Sequence, residues 1–162
     1  MSEEYVFRLI RPEDNVQVAH VIRTVMTEFG AVGEGFSIMD PEVDQMYEAY
    51  QGPKAAMYVI EKAGRVLGCG GFGPLLGGGP GVCELKKMYF LPELRGLGFG
   101  KKLVQRSLQD ARKAGFSHCY LETLCSMDAA NGLYQKMGFK PLDKPMGNTG
   151  HGSCDAWYLA VL

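Results

Sequence analysis

Three side chains of this sequence could do acid–base chemistry: two glutamates and a tyrosine. Glu84 lies near the start of the strand-like run Val82 to Leu91, and Glu122 lies in another such run, Tyr120 to Thr123. Burial in a sheet can raise the pKa of a carboxyl group, which then acts as a general base near neutral pH. Tyr134 follows in a helical pattern, and a phenol with a pKa of about 10 can act as a general acid. Each residue also has a structural interpretation, because carboxylates at strand ends commonly face water and aromatic residues in helices commonly belong to the core.

A glycine-rich turn follows the first of these strand-like runs. It contains Arg95, Gly96, Gly98 and Gly100, and the helical pattern Lys101 to Ala114 comes directly after it. Glycines at the start of a helix leave bare backbone N–H groups at its positive end, where phosphate oxygens bind without obstruction from side chains. The turn therefore predicts an anion-binding cradle.

Two familiar glycine signatures do not fit this turn. The dinucleotide pattern G-x-G-x-x-G fails because its last position would be Lys101 or Leu103. The P-loop pattern G-x-x-x-x-G-K-[ST] fails because Arg95 stands at its first position and Lys102 at its last. A nucleotide-phosphate enzyme is therefore disfavoured.

The pattern that does match is R-x-x-G-x-G, at Arg95, Gly98 and Gly100, after the apolar strand Met88-Tyr89-Phe90 and Pro92. This arrangement resembles the acetyl-CoA-binding core of the GNAT superfamily of N-acetyltransferases. The resemblance implies acetyl-CoA as cosubstrate, with the glycine turn holding the CoA pyrophosphate. It also implies a bulge that splays the strand from its neighbour, so that backbone N–H groups bind the oxyanion.

The cofactor site predicted from this resemblance depends mainly on backbone groups. Its residues are Met88, Tyr89, Phe90, Arg95, Gly96, Leu97, Gly98, Phe99, Gly100 and Lys101. In many relatives, an asparagine seven residues before the tyrosine contacts the cofactor, and Met127 stands at that position here. That contact must be lost or replaced.

The resemblance also implies roles for the three acid–base residues. Glu84 lies 11 residues before Arg95. This spacing matches that of the strand glutamate that is the general base in several members of the superfamily. Glu122 matches the base position of other members, and only one base is needed. Tyr134, in the segment Asn131 to Phe139, resembles the tyrosine that protonates the CoA sulfur. A phenol can donate to a thiolate whose conjugate acid has a pKa of about 8.5.

The implied reaction is direct attack of an amine on the thioester in a ternary complex. A small amine or amino-acid-like acceptor is favoured over a protein N-terminus or lysine. The alternative from another class is a non-catalytic acyl-CoA-binding sensor or interaction module on the same fold. Retention of Tyr134 together with Glu84 and Glu122 argues against that alternative.

The elements that position these residues follow from periodicity, caps and turn residues. The first half of the chain contains a strand from Tyr5 to Ile10, a helix with apolar residues from Val18 to Phe29, a helix that begins at Asp40, Pro41 and Glu42, and the hairpin arms Ala56 to Lys62 and Arg65 to Phe72. The strand Val82 to Leu91, the helix Lys101 to Ala114 and the strand Phe116 to Thr123 follow. The last elements are a helix from Ser126 to Met137, an extended segment from Phe139 and a final strand from Asp155 to Leu162. We predict one α/β domain over residues 1–162, with the GNAT fold: a central mixed, mostly antiparallel sheet of six to seven strands and helices on both faces.

Composition excludes several classes of partner. A net charge of -1 and a pI near 6.3 provide no electrostatic footprint for nucleic acid or an anionic membrane. No signal-type segment and no run of roughly 20 apolar residues is present, so we expect a soluble, cytoplasmic protein. The five cysteines form no C-x-x-C pair, which favours reduced thiols and no metal site. The sequence leaves the oligomeric state open, a homodimer included.

A polar cluster precedes the last strand. His151, Cys154 and Asp155 could form a metal half-site, a Cys–His pair or contacts to the substrate. No second pair of metal ligands lies nearby in sequence, so a structural loop is favoured and substrate contact comes second. The superfamily places variable substrate-recognition elements near Arg23, Glu28, Glu34 and Phe36.

Overall fold

The computed structural model describes residues 4–162. Within that range, the strands are β1 (Tyr5–Leu9), β2 (Ala56–Lys62), β3 (Arg65–Pro74), β4 (Val82–Phe90), β5 (His118–Thr123), β6 (Lys140–Pro141) and β7 (Ala156–Val161). The helices are α1 (Asn15–Glu28), α2 (Met46–Ala49), α3 (Phe99–Lys113) and α4 (Asp128–Lys136). Short 3-10 turns lie at Pro12–Asp14, Ser37–Met39, Pro41–Asp44 and Pro92–Leu94.

The described strands form one seven-stranded sheet in the order β1-β2-β3-β4-β5-β7-β6. Every neighbouring pair is antiparallel except β4 and β5, which are parallel. Helices cover both faces: Val59 packs in the core with the apolar side of α1, whereas its neighbour Tyr58 donates a hydrogen bond to Asp110 of α3. No described helix is long and apolar enough to cross a membrane. The predicted fold class is confirmed.

The middle of the sheet opens between β4 and β5. These strands pair only at Val82 with His118, Cys83 with Cys119, and Glu84 with Tyr120. Beyond Glu84 no described residue of one strand pairs with the other, although both strands continue. The result is a V-shaped opening with the edge of β4 on one side.

A β-bulge interrupts β4 at the same level. Cys69 pairs with Tyr89 and Gly71 with Lys86, so the single residue Gly70 faces two residues of β4. One of those two, Lys87, has a φ of 56°, a left-handed conformation that non-glycine residues rarely adopt. A side chain at position 70 would force Leu103 to move, because its Cβ would lie 2.8 Å from Leu103 Cδ2.

The second predicted helix is not continuous. Its residues form the 3-10 turn Pro41–Asp44 and then the four-residue helix α2. Asp40 was expected to cap this helix, but its side chain makes no capping hydrogen bond. The carboxylate instead contacts Lys87 and His151. Long-range ion pairing has thus replaced the local cap.

Candidate active site

The V-shaped opening holds all three predicted acid–base residues. It encloses a cavity of about 30 Å³, enough for about one or two water molecules. The lining residues are Ser37, Glu84, Leu85, Lys86, Lys87, Met88, Tyr89, Leu121, Glu122, Tyr134 and His151. Most of these residues lie on β4 and β5, so they face one another across the gap where the two strands separate.

Glu84 is the last residue of β4 that pairs with β5, and its side chain faces the opening. The residue is 5% exposed, and no hydrogen bond or ion pair to its carboxylate is found in residues 4–162. Burial raises the pKa of Glu84 to about 7, with Lys86 opposing the shift and Glu122 adding to it. Glu84 can therefore take up and release a proton near neutral pH.

Glu122 is held by several donors. Its carboxylate accepts hydrogen bonds from the Tyr120 hydroxyl at 2.7 Å and from the Thr149 hydroxyl, and His151 Nδ1 lies 3.4 Å from Oε1. Burial alone would raise the pKa of Glu122, but the hydrogen bonds from His151, Thr149 and Tyr120 lower it below its ordinary value. Glu122 therefore stays ionised at neutral pH and is a weaker base than Glu84.

His151 bridges two carboxylates. Its Nε2 lies 2.8 Å from Asp40 Oδ2, and its Nδ1 faces Glu122. Desolvation lowers the pKa of His151, but the hydrogen bonds to Asp40 and Glu122 outweigh it and raise the pKa to about 9. The imidazole is thus a cation at neutral pH, and it lies in the site rather than in a purely structural loop.

The other two members of the polar cluster have different surroundings. Asp155 accepts a hydrogen bond from the Cys125 backbone N–H at 2.7 Å, and the Cys125 thiol lies 3.2 Å from its carboxylate. Cys154 is half-buried, and its N–H donates to the His151 carbonyl. The surroundings of Asp155 match the expected structural loop, whereas His151 lies in a loop but also lines the opening.

Glu84, Glu122 and His151 are also the group of described residues that could hold a metal ion. One ligand atom from each lies within 4.8 Å of the others. His151 would have to exchange its contact with Glu122 for a metal bond, because its two ring nitrogens face Asp40 and Glu122. The arrangement suits proton handling better than metal binding.

Tyr134 lies on α4 across the opening from the edge of β4. Its hydroxyl is 3.7 Å from Met88 Sδ, and its ring packs against Phe139 and Tyr158 with centroid distances of 5.9 and 6.2 Å. Burial raises the pKa of Tyr134 far above its ordinary value. The phenol is therefore protonated and can donate to a group that enters beside Met88.

The predicted anion cradle has the expected backbone. Gly96 and Gly98 have φ values of 76° and 86°, and a Cβ at either position would meet nothing within 4 Å. These glycines are needed for the conformation rather than for space. Helix α3 begins at Phe99, two residues before the predicted start, and no described side chain caps it. Its first N–H groups therefore lack intrahelical acceptors and are available to an anion.

The guanidinium of Arg95 is already occupied. It forms a bidentate ion pair with Glu28 at 2.7 and 2.8 Å, and its Nε donates to the Phe90 carbonyl at 3.0 Å. Its backbone N–H donates to the Pro92 carbonyl at 3.2 Å, so the donors available to an anion begin at Gly96. The pair also ties α1 to the turn that precedes α3.

The residues expected to recognise substrate do not line the opening. Arg23 pairs with Asp44, and Glu28 pairs with Arg95. Ser37 of the same region does line it, as does Lys87, which contacts Asp40.

Sequence reasoning missed Lys87 and the role of Asp40. A usable signal was the pair of adjacent lysines, Lys86 and Lys87, in an otherwise apolar strand. Neighbouring side chains of a regular strand point to opposite faces, and a bulge breaks this alternation.

Comparison with known proteins gives consistent results. The sequence profile of the acetyltransferase (GNAT) family matches residues 22–139. The chain is 42% identical over 158 residues to the uncharacterized N-acetyltransferase YjgM of Escherichia coli, covering 97% of this chain and 95% of that protein. An acetyltransferase of the GNAT family from Staphylococcus aureus has a similar fold, with a TM-score of 0.84, 18% identity and coverage of 98% and 99%. A GNAT family acetyltransferase from Brucella melitensis, crystallised in complex with acetyl-CoA, is 26% identical, with a TM-score of 0.63 and coverage of 90% and 94%.

Proposed function

The chain belongs to the acetyltransferase (GNAT) family, and on that premise we propose that it transfers an acetyl group from acetyl-CoA to a small primary amine, with Glu84 as the general base. The observation that carries the proposal is the buried, unpaired carboxylate of Glu84 in the opening between β4 and β5. The acetyl-CoA complex of the Brucella melitensis relative supports the choice of cosubstrate.

The proposed cofactor position follows from the free backbone groups. Main-chain N–H groups from Gly96 to Lys101 would hold the pyrophosphate at the start of α3, since the Arg95 N–H already donates to the Pro92 carbonyl. The edge of β4 beyond Glu84 has no strand partner toward β5 among the described residues, so the pantetheine arm would pair with it as an added strand does. Backbone N–H groups near Met88 to Phe90 would then lie beside the thioester oxygen and stabilise its developing charge.

The proposed reaction assigns each proton to a group. Glu84 takes one proton from the entering ammonium, and the free nitrogen lone pair attacks the thioester carbonyl carbon. The C–N bond forms, the C–S bond breaks, and the Tyr134 hydroxyl gives its proton to the departing sulfur. The second proton lost by the nitrogen restores Tyr134, and the proton on Glu84 leaves to solvent.

Charge pairing in the opening favours an acceptor with one positive charge. Asp40 contacts Lys87 and His151, and Glu122 contacts His151, so these carboxylates are already compensated. Glu84 is the unpaired carboxylate among the described lining residues. The free thiols of all five cysteines, which lie in the described range, support a cytoplasmic location.

The test is thiol release from acetyl-CoA with a panel of primary amines, together with calorimetry of acetyl-CoA binding. We expect Glu84→Gln to lower turnover by about 10²- to 10⁴-fold and to remove the acidic limb near pH 7. The matched variant Glu122→Gln should keep an acidic limb, displaced to lower pH because a charge that raises the pKa of Glu84 has been removed. Loss of the limb in Glu122→Gln alone would identify Glu122 as the base. Tight acetyl-CoA binding without turnover on any amine would favour a binding module.

A further inference from the structure

Lys87 combines an unusual backbone with an unusually buried charge. It lies in the β4 bulge with a φ of 56°, and its side chain is 0% exposed. Its Nζ lies 2.5 Å from Asp40 Oδ2 and 3.5 Å from Glu42 Oε2. The Lys87 carbonyl is turned away from regular pairing and accepts a hydrogen bond from the Cys69 thiol at 3.2 Å.

Both carboxylate partners of Lys87 come from outside the sheet. Asp40 and Glu42 belong to the 37–44 segment, which contains two 3-10 turns and whose Ser37 lines the opening. His151 holds the same segment through Asp40. A buried ammonium requires such partners, because an unpaired charge in the interior is strongly unfavourable. The far end of the Lys87 side chain is therefore fixed independently of β4.

This attachment explains why Lys87 keeps its left-handed conformation. A non-glycine residue in the left-handed region is strained, and the strain survives only where surrounding contacts over-determine the conformation. The surrounding contacts here are the two ion pairs at the ammonium and the thiol at the carbonyl. Were the ammonium released, the extra residue would remain, because the registers on its two sides differ by one, but the left-handed conformation of Lys87 would lose its restraint.

We infer that Lys87 is a positioning residue: its ammonium, held by Asp40 and Glu42, fixes the left-handed conformation of the β4 bulge and thereby presents the edge of β4 to acyl-CoA. The inference rests on the proposed function, because it concerns the strand edge where acetyl-CoA is proposed to bind. It adds that the 37–44 segment and the strand edge proposed for acetyl-CoA are held in place by one side chain.

The test compares three variants by calorimetry with acetyl-CoA and by steady-state kinetics. Lys87→Met keeps a long apolar side chain but removes the charge, and we expect acetyl-CoA to bind about tenfold more weakly. Lys87→Gly accepts a positive φ without strain, so we expect an acetyl-CoA Kd within about threefold of wild type and an increased KM for the amine. Lys86→Met makes the same change one residue earlier, where φ is not positive and Glu42 is 3.7 Å away, and we expect acetyl-CoA affinity within about twofold of wild type. It is a control for affinity alone, because Lys86 lines the opening and its charge acts on Glu84.

The outcomes separate the possible failures. If Lys87→Met binds acetyl-CoA as tightly as Lys86→Met, or if Lys87→Gly binds as weakly as Lys87→Met, the inference is wrong. Asp40→Asn keeps the test decisive should Lys87→Met fail to fold, since it weakens the same link without changing β4. We expect Asp40→Asn to weaken acetyl-CoA binding by about threefold or more, and unchanged affinity would overturn the inference. Absence of acetyl-CoA binding by the wild type would overturn the proposed function instead.

Discussion

Replacing Glu84 by glutamine should stabilise the protein although it removes the proposed base. The pKa of Glu84 is about 7 in the folded protein against an ordinary value of 4.5. This difference corresponds to about 3 kcal/mol of unfavourable free energy when the folded carboxylate is ionised. Glutamine has nearly the same shape and no charge, so we expect Glu84→Gln to have a free energy of unfolding higher by about 2 to 3 kcal/mol at pH 8.

The pH dependence of this gain has a definite sign. Below about pH 4.5 the carboxyl group is protonated in both folded and unfolded chains, and the substitution should change little. Between about pH 4.5 and pH 7 the unfolded chain loses the proton first, so wild-type stability falls relative to the variant. Above about pH 7 both states are ionised and the difference is constant.

Urea denaturation of wild type and Glu84→Gln at pH 5 and pH 8 measures the effect. Glu122→Gln is the matched control with the opposite sign, because it disrupts the hydrogen bonds from Tyr120 and Thr149 to an ionised carboxylate. We expect it to lower stability by about 1 to 3 kcal/mol at pH 8. A Glu84→Gln protein no more stable than wild type at pH 8, or a gain that does not increase from pH 5 to pH 8, would refute the reasoning.

Two further substitutions test the acid and the cradle. Tyr134→Phe removes a hydroxyl whose contact is Met88 Sδ at 3.7 Å. We expect turnover in the thiol-release assay to fall by about 10²- to 10⁴-fold, while the acetyl-CoA Kd measured by calorimetry changes little. Unchanged turnover would exclude Tyr134 as the acid. Gly98→Ala places a side chain at a φ of 86°, so we expect a stability loss of about 1 to 2 kcal/mol and weaker acetyl-CoA binding. Its control, Gly132→Ala in α4, should be neutral or stabilising by up to about 1 kcal/mol because φ is not positive and the space is open. Equal effects of the two alanines would show that the conformation of Gly98 is not required.

The parts of the fold that sequence reasoning found are those with local signals. The glycine turn at Gly96 and Gly98 follows from residue type, and the hairpin turn at Ala63 and Gly64 has positive φ at both positions, as a short hairpin requires. Periodicity likewise located α3 to within two residues. In each case the structure depends on neighbours in the chain.

The parts that it missed depend on pairing between distant residues. Asp40 and His151 are 111 residues apart in sequence, and no local pattern indicates that they meet. The sequence Asp40-Pro41-Glu42 is typical of a helix start, but the carboxylate is more stable beside two buried cations than as a cap. Tertiary electrostatics overrode local preference at this point.

The two glutamates are better understood as a pair with divided roles than as alternatives. Glu122 is kept ionised by its donors, and its fixed negative charge is one of the causes that raise the pKa of Glu84. Environments that separate the pKa values of two neighbouring carboxyl groups are how enzymes set one of them to exchange protons near neutral pH. His151 contributes by pairing with Glu122 on the side away from Asp40. Glu84 is thereby left without a partner of its own, and an unpaired buried carboxylate destabilises the fold. The proposed reaction explains this arrangement, because the ammonium group of the substrate would be the partner of Glu84.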